Sequence, residues 1–178
     1  MAETPQKSYC SYVANLPPEN VHRIYHDTEY GYPIHSDDAL FGRLILEINQ
    51  AGLSWNTILN KKENFRKAYD NYSIATIAAY GEKDRERLLG DAGIIRNKLK
   101  VDAAIYNAKQ IQLLQHEYGS FKAWLDAQGV MDLRAWVKLF KQHLKFTGGE
   151  ITNEFLMSTG YLEGAHVPGC PIYDVLNK

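Results

Sequence analysis

The chain has 178 residues, with 20 Lys and Arg against 21 Asp and Glu and a formal net charge of −1. That length suits one domain able to bury a core without disulfides, and the near-neutral balance excludes a protein coated in basic charge, although a local basic patch suffices to touch a few phosphates. No apolar run is long enough to span a bilayer and the first ten residues lack an apolar signal core, so a cytoplasmic protein with no membrane segment is expected.

In chain order, the first chemical marker is Cys10. Its only counterpart, Cys170, lies near the other end, a pair that permits a disulfide, two free thiols or shared metal ligation. Tyr25-His26-Asp27-Thr28-Glu29-Tyr30-Gly31-Tyr32-Pro33 then gathers aromatic, imidazole and carboxylate groups before Gly and Pro, and reads as a shaped loop. His26 there is open to three roles: core histidine, general base or metal ligand.

From Asp37 to Gln50 the apolar residues Leu40, Phe41, Leu44, Ile45 and Ile48 recur at helical spacing behind Ser36, a suitable N-cap. Leu40, Leu44, Glu47 and Ala51 form one stripe of that helix, which turns the Glu47 carboxylate inward. A buried carboxylate must be paired, hydrogen-bonded, protonated or open to a pocket. Gly52 ends the helix and Ser54 caps the next, with Trp55 in its first turn, so an aromatic plate and a carboxylate can share one cavity. Such a pair suits a flat, electron-poor ring bearing amino hydrogens.

Further helical periodicity runs over Ile74 to Ala79, Arg85 to Leu89, Lys98 to Leu114, Leu133 to Leu144 and Ile151 to Thr159. Gly81, Gly93, Gly119, Gly129 and the pair Gly148-Gly149 stand where helices should stop. No alternating strand, repeat or linker interrupts the pattern, so a single all-α bundle of short helices is expected. Two basic runs, Lys61 to Lys67 around Glu63 and Arg134 to Lys145 with no acid, read as solvated helix faces or phosphate contacts.

Leu88-Leu89-Gly90-Asp91-Ala92-Gly93-Ile94-Ile95-Arg96-Asn97-Lys98 joins two helical patterns through a Gly-containing turn and resembles a helix–hairpin–helix, although an ordinary αα-hairpin has the same local look. In the former, free amides at the second helix start hold a DNA phosphate, aided by nearby bases such as Arg96, Lys98 and Lys100. Near the C-terminus, His166-Val167-Pro168-Gly169-Cys170 can grasp one ion from a tight turn, with Cys10 and His26 available to complete a tetrahedral Cys₂His₂ set.

Taken in order, Tyr25-His26-Asp27-x-Glu29, Leu46-Glu47-x-x-Gln50-Ala51-Gly52-Leu53-Ser54-Trp55, Asp91-Ala92-Gly93-Ile94-Ile95-Arg96-Asn97 and His166-x-x-x-Cys170 resemble the 3-methyladenine DNA glycosylase I family. The likeness extends from about Cys10 to Cys170. It implies an all-α member of the helix–hairpin–helix glycosylase superfamily, one glycosylase domain over residues 1–178, acting as a monomer on alkylated double-stranded DNA and releasing free 3-methyladenine. One structural zinc per chain, held by Cys10, His26, His166 and Cys170, would fasten the chain ends. Glu47 is then the catalytic residue and a base contact, with Trp55 stacking on the base and Tyr25 and His22 also lining its pocket. Gly93, Ile95, Arg96 and Lys98 would hold the DNA backbone.

Many helix–hairpin–helix glycosylases place a catalytic aspartate after the hairpin. The stretch Leu113 to Tyr118 offers none, which fits the named family. The chain departs from the family pattern at Tyr30, where Trp is usual, at His22, where a pocket Tyr is common, at Gly149-Glu150, which replaces Pro-Thr, and in a short Phe121 to Phe146 segment. These departures define two alternatives: a non-catalytic lesion- or DNA-binding member, or a glycosylase preferring another alkylated base.

Overall fold

The computed structural model describes residues 8–178. Among them the regular elements are eleven α-helices and one short 3-10 turn, with no strand, so the all-α class forms as expected. No helix of the described residues is long and apolar enough to cross a membrane. The chain divides into two compact units, residues 8–33 with Leu156–Lys178, and Ile34–Phe155.

The smaller unit contains α1 (Tyr9–Val13), α2 (Val21–Thr28) and α11 (Pro171–Leu176). Ser8 caps α1 by accepting from Ser11 N, and Asn20 caps α2 by accepting from His22 N. Helix α2 corrects the sequence reading: Tyr25, His26, Asp27 and Thr28 belong to a helix, not a loop. Its buried face is His22, Tyr25 and His26, at helical spacing but without aliphatic residues, so a search for aliphatic periodicity passes over it.

The larger unit holds α3 (Asp37–Gln50), α4 (Trp55–Ala68), a 3-10 turn (Asp70–Tyr72), α5 (Ile74–Ala78), α6 (Glu82–Gly90), α7 (Lys98–Tyr118), α8 (Phe121–Ala127) and α9 (Leu133–His143). The boundary between the units falls within α10 (Gly149–Ser158). Side-chain caps start most of these helices: Ser36, Ser54, Asn97, Ser120 and Asp132 each accept a backbone N–H of the first turn. Asp37 also accepts from Phe121 N at 2.8 Å and Lys122 N at 2.9 Å, tying the start of α3 to the start of α8. Beneath them Trp124 stacks between Phe121 and Phe140, each at 5.8 Å between ring centroids.

Two further readings are revised. Helix α3 is buried on every face from Leu40 to Asn49, and Ala51 is its C-cap rather than a residue of the stripe. Burial all round means that amphipathicity alone does not single out the direction of Glu47. Gly81 and the pair Gly148-Gly149 stand at the starts of α6 and α10, not at helix ends. Glycine serves either terminus, and of the glycines expected at helix stops Gly52, Gly119 and Gly129 adopt the positive φ of such a stop.

Candidate active site and metal centre

In the larger unit, Glu47 lies one turn from the end of α3 and is only 3% exposed. Burial pushes its carboxyl up to about 8, with Arg43 one turn earlier pulling down and Glu154 of α10 pushing further up. The same burial raises Glu154, with Glu150 adding to it. Glu47 is therefore a protonatable acid near neutrality, and any cation brought against it shifts it to the carboxylate.

The chain turns directly after α3. Gly52 takes φ +78, a left-handed conformation that L side chains rarely adopt, and nothing lies within 4 Å of where a Cβ would stand. Backbone geometry, not crowding, selects glycine here. Ser54 Oγ then accepts from Thr57 N at 3.2 Å and pairs with Thr57 Oγ1 at 2.9 Å, which sets Trp55 as the first residue of α4. Residues Gln50 to Ser54, with Gly148 to Ile151, line an open cleft of about 500 Å³. Glu47 does not line that cleft.

Leu88 to Lys98 spans the end of α6, a turn and the first residue of α7. Asp91 Oδ1 accepts from Gly93 N at 2.7 Å, and Asn97 Oδ1 accepts from Lys100 N at 3.1 Å, opening α7. Ile95 is half-buried, while Arg96 and Lys98 are exposed. Lys100 does not join them as a free cation: it is 4% exposed, and its Nζ donates to Asn49 O at 2.9 Å and Ala51 O at 2.6 Å. A lysine in a helical first turn reads as solvent-facing from sequence, and nothing local announces this inward turn.

In the smaller unit, Cys10, His26, His166 and Cys170 are all buried, and one ligand atom from each lies within 4.8 Å of the others. The two cysteines are free thiols, which removes the disulfide alternative. Sγ to ring-nitrogen separations are 3.6 Å for Cys10–His166, 3.7 Å for Cys170–His166 and 3.7 Å for Cys170–His26. A tetrahedral ion with ordinary zinc–sulfur and zinc–nitrogen bonds has mixed edges of about 3.6 Å, so the donor set fits such an ion.

The far nitrogens of both rings are also engaged. His26 Nδ1 meets Asp27 Oδ1 at 2.7 Å, and His166 Nε2 meets Tyr30 O at 2.6 Å. With those nitrogens donating, His26 Nε2 and His166 Nδ1 keep the lone pairs that face the sulfurs. Arg23 completes the frame, binding Asp27 at 2.8 Å and reaching Val13 O and Leu16 O. Burial opposes ionisation of Asp27, but the bonds from His26 and Arg23 outweigh it and hold the carboxyl below its usual range. Gly31 is required beside this cluster, because a Cβ there would stand 2.9 Å from Ala165 Cβ and 3.1 Å from the His166 ring.

Tyr25 and His22 occupy the buried face of α2 in the same unit. The Tyr25 ring packs on Tyr30 at 5.7 Å, and His22 Nδ1 lies 2.9 Å from the Tyr9 hydroxyl. Sequence reasoning missed Tyr9 and the orienting roles of Asp27 and Arg23. The adjacent pair His26-Asp27 was the available signal for Asp27.

Residues 16–134 match the sequence model of the family described as Methyladenine glycosylase. The chain belongs to that family. It is 32% identical to DNA-3-methyladenine glycosylase 1 of Escherichia coli, over 92% of this chain and 96% of that one. Among solved structures it is similar to a variant 3-methyladenine DNA glycosylase I in complex with 3-methyladenine, at TM-score 0.80 and 28% identity, covering 92% of this chain and 96% of the other. It is similarly close to the 3-methyladenine DNA glycosylase I of Staphylococcus aureus, at TM-score 0.78 and 28% identity, covering 92% and 95%. For this methyladenine glycosylase family member, the match starts after Cys10 and stops before His166 and Cys170, so the Cys/His cluster rests on geometry rather than on the family match.

Proposed function

We propose that the chain is a monofunctional base-excision repair glycosylase that hydrolyses the N-glycosidic bond of 3-methyladenine in alkylated double-stranded DNA, using residues 1–178 as one glycosylase domain. The observation that carries this reading is Glu47, a buried, costly carboxyl just before the Gly52–Trp55 turn in a methyladenine glycosylase family member. A carboxyl whose proton is held by burial is a candidate for chemistry.

In this reading the target nucleotide leaves the stack, at a cost of a few kcal/mol on the order of one stacking loss, and the base enters a pocket. Trp55 stacks on the ring, Tyr25 offers its hydroxyl, and His22 stands where a further base contact is expected. Methylation at N3 makes the attached base cationic, so Glu47 ionises against it and binds its polar edge. The bond between sugar and base then breaks with its electron pair passing to the base, which leaves neutral. Water adds to the sugar carbon and gives up a proton, leaving an abasic site. No strong general acid is needed, because the leaving group is already activated.

The α6–α7 segment is read as a helix–hairpin–helix that holds the DNA backbone through the amide of Ile95, with Arg96 and Lys98 as cationic contacts; Gly93, whose amide is held by Asp91 Oδ1, would reach a phosphate only by releasing that carboxylate. Cys10, His26, His166 and Cys170 are read as the ligands of one zinc ion. Four protein ligands leave no open position, so such an ion supplies a cross-link between the chain ends and not an activated water. Incubation with methylated duplex DNA and chromatography of the released bases tests the function: free 3-methyladenine is expected, and its absence from metal-loaded, folded protein refutes the proposal.

A further inference from the structure

Two lysines join the elements around Glu47 and Trp55 to the hairpin, and they reach in opposite directions. Lys61, less than two turns past Trp55 on α4, donates to Ala92 O in the hairpin turn at 3.2 Å, in an exposed bond. Lys100, in the first turn of α7, reaches back with its Nζ to Asn49 O and Ala51 O, where α3 runs out. Those carbonyls have lost their intrahelical partners and mark the negative end of the α3 dipole. A buried ammonium there neutralises both without a carboxylate. Its own backbone N–H is held by Asn97 Oδ1, the cap of the same hairpin. One residue is thus fastened to the hairpin at its main chain and to the end of the Glu47 helix at its side chain.

We propose that Lys100 is a positioning residue for base excision: it fixes the distance and angle between the hairpin that holds the DNA backbone and the Glu47–Trp55 segment that receives the base. This rests on the glycosylase reading above. Lys100 touches no substrate. A single alkylated nucleotide must satisfy both regions at once, since its phosphate and its base are joined through one sugar. A misplacement of about 1 Å between the regions costs on the order of a hundredfold in rate, even if each still binds its own part of the substrate.

The test uses full-length Lys100→Met, which keeps the apolar stem and removes the donor. Three quantities are measured well below the unfolding midpoint: affinity for free 3-methyladenine, affinity for a duplex carrying a stable tetrahydrofuran abasic analogue, and single-turnover release from methylated duplex at saturating protein. The two affinities should stay within about twofold of the parent while the saturated release rate falls by roughly tenfold or more. A lower unfolding midpoint with an unchanged saturated rate would mean a purely structural lysine and overturns the proposal. Loss of free-base binding overturns it too, since the defect would then lie in the pocket itself.

Should Lys100→Met fail to fold, Lys100→Arg carries the test. It keeps the charge but replaces a point donor between two carbonyls with a wide fork, so the saturated rate should fall by about threefold or more with both affinities kept. A parent-like rate overturns the proposal. No release by the parent chain would instead refute the glycosylase reading, a result distinct from any outcome of the variants.

Discussion

The smaller and larger units each bury polar side chains, and the Cys/His cluster of one is held differently from Glu47 of the other. Around Cys10, His26, His166 and Cys170 each imidazole has one nitrogen satisfied by a neighbour, while the other faces the sulfurs. In the larger unit Glu47 is buried against a desolvation cost large enough to hold its proton to about pH 8. A closed set of matched donors and acceptors makes a rigid tie. A buried acid whose desolvation outweighs the pull of Arg43 can be ionised by a cationic ligand brought against it. On the proposed reading, the Cys/His cluster serves stability and Glu47 serves chemistry.

Glu47→Gln breaks that contrast hardest. Removing the ionisable group should lower release of 3-methyladenine by roughly a hundredfold or more, as for loss of an electrostatic group at a reacting centre. Stability should move the other way. Folded Glu47 titrates at about 8 against about 4.3 in an unfolded chain. Between those values the folded state keeps a proton that the unfolded state has lost, so the carboxyl's contribution is intact at low pH and is lost as pH rises to 8. Urea unfolding of parent and Glu47→Gln should therefore agree best near pH 4.5 and diverge in favour of the variant by pH 8.5. A stability difference independent of pH would refute this assignment.

The proposed metal centre is tested by stability rather than by rate. Elemental analysis of protein purified without chelator should find one zinc per chain, and chelation should lower the unfolding midpoint by on the order of 10 °C. Thiol reagents should label Cys10 and Cys170 only after the metal is removed. An unchanged midpoint on chelation of a zinc-loaded sample would leave the four residues a hydrogen-bonded cluster. A smaller effect isolates the frame: Asp27→Asn should weaken zinc affinity by about 10- to 100-fold, because His26 loses the carboxylate that orients its ring. Competition with a chromophoric chelator measures it, and parent-like affinity would remove Asp27 from the frame.

The same contrast explains what could be read from sequence. Helices α3 and α4 were legible with their caps because Ser36 and Ser54 precede periodic apolar runs, and Glu47 and Trp55 came with them. Cys10, His26, His166 and Cys170 were legible as a candidate set through their residue types, and the structure brings them together. Helix α2 was hidden because its buried face is built from His22, Tyr25 and His26, residues whose side chains make specific polar contacts as well as packing. Lys100 was hidden for a related reason. Long-range satisfaction of backbone carbonyls leaves no local pattern, so a buried lysine looks like any surface cation until the fold brings Asn49 and Ala51 to it.

The finest probe of the larger unit is Ser54→Ala. Ser54 accepts the Thr57 N–H and also pairs with its hydroxyl, so the substitution frees both at the first turn of α4. The cap is solvent-exposed, and water replaces part of what is lost. Global stability should fall by about 1 kcal/mol, the ordinary cost of an N-cap. Trp55 is the first residue held by that cap, so its environment should change more than the core around Trp124 and Trp136, which are 1% exposed. Fluorescence of a Trp124→Phe, Trp136→Phe background reads Trp55 alone. A stability loss with no change in Trp55 emission or in its quenching by 3-methyladenine would show that Ser54 closes the helix without setting the aromatic plate, and would move that duty to the Gly52 turn.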